Sequence, residues 1–197
     1  MKREKIIILI FILILIITVG GVTYAAYTYS KTGTKVNSIT TGVMVMTYTE
    51  TSNVINLTGA LPTTDKTGKT RTNEGEYFDF TVSSTISGST NINYEISAKK
   101  EDGNTIEGRY IKLYLTRLTE DGEEELMTPE TYNEESSSNT YTNRPAGEMS
   151  LYQGSMSSSE SNRYRLRMWV DESYNPQGDG GGLTFSVRIN VYGKDGI

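Results

Sequence analysis

The chain has no cysteine and no histidine among its 197 residues. Without cysteine there is no disulfide, so a fold outside the cell must rest on its apolar core, and the exporting cell is more in keeping with a Gram-positive-type bacterium than an animal secretory line. Without histidine, Ser-His and Cys-His nucleophiles, the histidine general base and every histidine-containing zinc site are excluded, the His-Glu-x-x-His metalloprotease helix among them. Positive charge is scarce as well: 19 Lys and Arg stand against 24 Asp and Glu. An acidic surface gains nothing from a polyanion, so nucleic acid is not an expected partner. No 3.6-residue apolar stripe follows the first segment, no internal repeat is visible, and no linker divides the chain.

What is present begins with the most informative segment. Lys2-Arg3-Glu4-Lys5 precedes an unbroken apolar run, Ile6 to Ile17, and the stretch closes on Val22-Thr23-Tyr24-Ala25-Ala26. A basic start, an apolar core and small residues at the end are the parts of an export signal, which places a cleavage after Ala25 and makes residues 1–25 a signal peptide. Ile6 to Ala26 is also long enough to span a bilayer, so retention as an N-terminal membrane anchor is the alternative. Either way the remainder works outside the cytoplasm. Its net charge is then −7 rather than −5, because residues 1–25 hold three of the basic residues and one of the acidic ones.

Beyond the signal, alternation with a period of two dominates, which predicts an all-β, antiparallel sandwich of about eight or nine strands. Leu183 to Tyr192 places Leu183, Phe185, Val187, Ile189 and Val191 inward. Tyr164 to Val170 places Tyr164, Leu166, Met168 and Val170 inward, with Arg163, Arg165, Arg167 and Trp169 outward. Leu166, Met168, Phe185, Val187 and Ile189 are expected to be buried in two paired strands. Further strands are read at Gly42 to Thr49, Val54 to Leu57, around Phe78 to Val82, Ile92 to Ala98 and Arg109 to Leu118, through Leu126 and Met127, and at Met149 to Gln153. Asp121-Gly122 marks a tight hairpin. Thr131 to Arg144, Ser155 to Asn162 and Asp171 to Gly182 read as exposed loops. Residues 42–197 form the sandwich domain, and residues 26–41 an extended N-terminal segment able to act as a donor strand.

Candidate chemistry is sparse. Asp171, Glu172 and Asp179 share a glycine-rich loop and could offer oxygens to calcium, but their spacing matches no EF-hand, and a solvated acidic loop is the preferred reading. Glu120 to Glu125 is acidic as a hairpin tip should be. Arg163, Arg165 and Arg167, with Arg188 on what is expected to be a neighbouring strand, could grip an acidic partner; pairing with surface carboxylates is the preferred reading. Asn56-Leu57-Thr58 has the form of a glycosylation sequon, and Met44 and Met46 read as core fillers. No Ser-x-x-Lys stands in a penicillin-binding context. No catalytic, cofactor-binding or metal-binding residue is assigned, and no enzyme activity is expected.

Ala25-Ala26-Tyr27-Thr28-Tyr29-Ser30, then Asn37-Ser38-Ile39-Thr40-Thr41-Gly42-Val43, resembles the start of the exported TasA and camelysin family of Firmicute surface proteins. Tyr164 to Asp171, ending in a Gly-rich loop and Leu183-Thr184-Phe185, resembles the closing strands of such proteins. The resemblance covers both ends of the chain. It implies a jelly-roll-like sandwich, processing by a dedicated signal peptidase, and polymerisation into extracellular biofilm fibres with like or related matrix subunits. The metalloendopeptidase activity ascribed to some members is not expected, because this chain has no histidine for zinc, and the family's aromatic-Ser-Asp segment is altered here to Tyr29-Ser30-Lys31. Its expected function is that of an exported structural protein, self-associating by strand exchange through residues 26–41. The alternative is a membrane-tethered extracellular binding or adhesion module held by residues 6–26. A type IV pilin is excluded by the missing glycine before the apolar run and the missing glutamate five residues into the mature helix.

Overall fold

The computed structural model describes residues 37–41, 44–49, 54–58, 60–72, 77–87, 90–175 and 184–196. The expectations for residues 1–36, and for Asp179, lie outside them. Ten strands are present: β1 (Asn37–Thr41), β2 (Met44–Thr49), β3 (Val54–Thr58), β4 (Tyr77–Ile86), β5 (Asn91–Lys100), β6 (Ile111–Thr119), β7 (Gly122–Thr131), β8 (Met149–Met156), β9 (Ser161–Val170) and β10 (Thr184–Gly196), with one short helix, α1 (Asp65–Lys69). They form two antiparallel sheets, one ordered β1-β2-β4-β9-β6-β7 and the other β3-β10-β5-β8. Except for the β1–β2 and β6–β7 hairpins, every step along the chain crosses from one sheet to the other. The all-β antiparallel architecture read from alternation is therefore present. The count exceeds eight or nine because β1, inside the stretch read as an N-terminal extension, pairs with β2 from Asn37↔Tyr48 to Thr41↔Met44.

Alternation places the core between the sheets. In β4, Phe78, Phe80 and Val82 turn inward; in β10, Phe185, Val187 and Ile189 do so, and all are buried. Tyr94 of β5 and Tyr164 of β9 meet across the gap, hydroxyl to hydroxyl at 2.5 Å. Burial pushes the Tyr164 phenol up to about 12, so both stay protonated. The five residues expected in the core, Leu166, Met168, Phe185, Val187 and Ile189, are all buried. Their strands do not pair, however: β9 lies between β4 and β6, and β10 between β3 and β5. A period of two fixes which face a residue takes and carries no information about which sheet its strand joins.

One loop expectation needs correcting and another refining. Ser155 to Asn162 contains only a short turn, since β8 runs to Met156 and β9 begins at Ser161. Ser159 and Ser84 fasten that turn to β4: the Ser159 hydroxyl accepts from the Ile86 amide at 2.9 Å, and the Ser84 hydroxyl donates to the Ser158 carbonyl at 2.7 Å. Thr131 to Arg144 is largely exposed, as expected, but it is not a free loop: with Tyr132, Thr142 and Arg144 buried, it forms most of a two-legged strap, residues 132–148, folded over the outer face of the four-stranded sheet.

Candidate functional site

The outer face of the six-stranded sheet holds the arginines. Alternation along β9 turns Arg163, Arg165, Arg167 and Trp169 outward, and the sheet order sets β4 on one side and β6 with β7 on the other. Arg165 donates to Asp79 twice, at 2.7 and 2.8 Å, and to Glu123 at 3.2 Å. Arg167, itself buried, grips Glu123 with two bonds of 2.7 and 2.9 Å. These bonds to Arg167 hold the Glu123 carboxyl down at about 2, against the opposing effect of burial, with Thr116 and the charge of Arg165 assisting. Lys69 reaches Glu125 at 2.5 Å, whereas Arg117 and Glu124 bond each other on the opposite face, in register with Tyr164. Glu123 and Glu125 of the β6–β7 hairpin are thus counterions for this face, and pairing with surface carboxylates is the arrangement found for Arg165 and Arg167. Arg163 remains exposed, 4.0 Å from Asp79. Arg188, expected on a neighbouring strand of the same face, stands on β10 in the other sheet and bonds Glu101 at 2.6 Å.

Trp169 shares the outward phase with the arginines, yet it is fully buried. The cover is α1, whose Gly68 lies so close to the indole that an added Cβ would come within 2.3 Å of it. Thr64 caps the helix by accepting from the Thr67 amide at 3.3 Å. Thr63 and Arg71 tie its flanks to β9, through the Thr63 amide on the Val170 carbonyl and the Arg71 carbonyl under the Arg167 guanidinium.

The acidic loop after β9 behaves as a turn. Asp171 accepts from the Ser173 amide at 2.9 Å and from its hydroxyl, and lies 3.6 Å from Lys112. The Ser173 bonds and the nearby ammonium hold its carboxyl below the usual range. Among the described residues no group of three acidic side chains is placed to share a metal ion. Asn56, at the sequon, is exposed on β3 and accepts from the Ser186 hydroxyl at 2.5 Å. Met46 is buried, as a core filler should be.

The polar centre of the molecule lies under the strap, and the sequence reading did not find it. The outward residues of β5 are Asn93, Glu95 and Ser97; opposite them on β10 stand Lys194, Tyr192 and Asn190. Glu95 is 0% exposed and Arg144, from the strap, 2%. The guanidinium Nε donates to Glu95 Oε1 at 2.7 Å, its NH2 to Glu135, and its NH1 to the carbonyls of Ser137, Pro145 and Glu148. Thr142 and Asn139 complete the shell of Glu95. Burial pushes the Glu95 carboxyl up, but the bonds from Ser150, Thr142 and Arg144 together outweigh it and leave the group below its ordinary value. Glu148, also buried, accepts from Ser97 at 2.5 Å, Tyr192 at 2.8 Å and Asn190 at 3.1 Å. Both oxygens of Glu95 and both of Glu148 are engaged, so these two carboxylates fasten the strap.

No family model matches the chain, and no curated protein matches it. Among solved structures the chain is similar to one described as "AvmM Catalyzes Macrocyclization in Alchivemycin A Biosynthesis", at 14% identity over 72% of this chain and 88% of that one, with a TM-score of 0.26. A likeness that low carries no argument about this chain.

Proposed function

We propose that the protein is an exported structural subunit that self-associates into extracellular fibres or biofilm matrix by exchange of its N-terminal strand. The observation that carries the reading is the contrast between the two edges of the six-stranded sheet. Edge strand β7 bears Glu123, Glu124 and Glu125, a proline at 129, and register shifts against β6, all of which deter a further strand. Edge strand β1, Asn37 to Thr41, has no charge and no proline, and pairs only with β2 in the ladder of described residues. Transferring β1 to the β2 of a neighbouring copy preserves each ladder bond, and a head-to-tail contact that does not close propagates as a filament. The interleaved order of β3 to β10 over two sheets supports a jelly-roll-like arrangement, the fold implied by the TasA and camelysin resemblance.

A second reading, a membrane-tethered extracellular adhesion module held by residues 6–26, draws support from the strap, which is anchored at its base and exposed at its tip. Two truncations separate the readings. Residues 27–197 should form concentration-dependent fibres in light scattering and negative stain, and residues 42–197 should not. Equal fibre formation, or none from either, favours the tethered module.

A further inference from the structure

At the tip of the strap a cleft of about 310 Å³ is lined by Asn93, Thr140, Tyr141, Lys194 and Asp195. We infer that this cleft binds a neutral pyranose sugar, with the ring stacked on Tyr141 and its hydroxyls bonded to Asn93 and Lys194. Three observations carry the inference.

Tyr141 is 61% exposed and is one of two large apolar side chains exposed among the described residues. An aromatic held in water beside a cavity offers a flat apolar face. The C–H face of a pyranose fits such a ring.

Asn93, only 4% exposed as a residue, lines the cleft together with Tyr141. Its amide supplies both donors and an acceptor, the pair that a sugar hydroxyl needs. Lys194, opposite Asn93 on β10, donates to the Thr140 carbonyl at 3.2 Å and keeps two further N–H groups. Asp195 brings a carboxylate of opposite sign, so the lining favours a neutral polyol over an ion.

The third observation is rigidity. The Tyr141 amide donates to Asn139 Oδ1 at 2.9 Å, and the Asn139 amide to the Arg144 carbonyl at 2.7 Å. Asn143 takes the left-handed conformation, φ 66°, that closes the turn. Asn139 and Arg144 both bond the buried Glu95. The ring is thus presented on a turn whose base is fastened to the sheet, which reduces the ordering cost of binding. The site is independent of whether the chain polymerises or is tethered.

The test uses the full-length chain in a zwitterionic detergent without sugar head groups, titrated by calorimetry with maltotriose and with cellotriose. Saturable millimolar binding of at least one triose is expected. Tyr141→Ala should weaken it about fivefold or more, while Tyr141→Phe, which keeps the ring, should stay within about twofold of the parent. Tyr141 is exposed, so the variants should melt with the parent. Failure of both trioses to bind, a smaller loss in Tyr141→Ala, or a loss in Tyr141→Phe equal to that in Tyr141→Ala overturns the inference.

Discussion

Replacing Arg144 by methionine should destabilise the domain more than any surface change. The substitution keeps the length of the side chain and removes the cation, leaving Glu95 fully buried without its ionic partner and Glu135 without its bond. Breaking one side of a buried pair costs about 3 to 5 kcal/mol, because the remaining charge keeps its desolvation penalty. For a domain of roughly 150 to 250 residues this lowers Tm by about 6 to 20 °C. Replacing Glu95 by leucine in the same chain should recover part of the loss, since two apolar side chains leave no stranded charge. The pH dependence supplies a second check. In the parent the Glu95 carboxyl lies below its unfolded value, so its contribution is fully present above about pH 4.3 and is lost as pH falls through the folded value. In Arg144→Met the uncompensated burial raises that carboxyl instead, so its penalty is greatest at neutral pH and lessens as acid neutralises it. The gap between the two proteins should therefore narrow on acidification. Thermal unfolding followed by near-UV circular dichroism at pH 7 and pH 4 measures it. A variant melting within about 2 °C of the parent at pH 7 would show that the cluster does not hold the strap.

Three other outcomes follow from the packing. Gly68→Ala should push α1 off Trp169, at a cost of about 1 to 3 kcal/mol for overpacking; since the chain has one tryptophan, a red-shifted, quencher-accessible emission reads it directly, and unchanged emission would refute the close approach. Phe185→Ala should cost about 3 to 5 kcal/mol in a denaturant melt, because the ring is fully buried against Tyr132; a midpoint equal to the parent's would place Phe185 outside the core. The parent should lose stability as pH falls from about 4.5 towards 2 while Glu123 takes up its proton, because that carboxyl lies lower in the fold than in the unfolded chain; Glu123→Gln should flatten this acid limb, and an unaltered limb would assign it to other carboxylates.

How far the sequence was legible depended on what each pattern encodes. Alternation identified the inward faces of β4, β5, β9 and β10 correctly, because burial on one face of a pleated strand imposes a period of two. It could not say that β9 and β10 belong to different sheets, since both choices bury the same residues. The strap was missed because Ser, Asn and Glu in sequence signify solvent unless a buried partner exists, and that partner, Glu95, stands 49 residues from Arg144 on β5. An available signal was a glutamate in the outward phase between Tyr94 and Ile96. Trp169 offered another: a large apolar ring in phase with three arginines calls for a cover. That cover, α1, has five residues and buries only Gly68, too little to leave a 3.6-residue stripe.

The central claim, that β1 leaves its own β2 to pair with another copy, can be tested by locking it in place. Ser38 and Thr47 are directly opposed in the β1–β2 ladder, and opposed antiparallel residues have Cα atoms about 4.5 to 5.5 Å apart, within the range a disulfide spans. The chain has no other cysteine to compete. In residues 27–197 carrying Ser38→Cys and Thr47→Cys, oxidised protein should remain monomeric in light scattering at concentrations where the parent forms fibres, and reduction should restore assembly. Fibres forming equally fast from the locked, oxidised protein would contradict strand exchange.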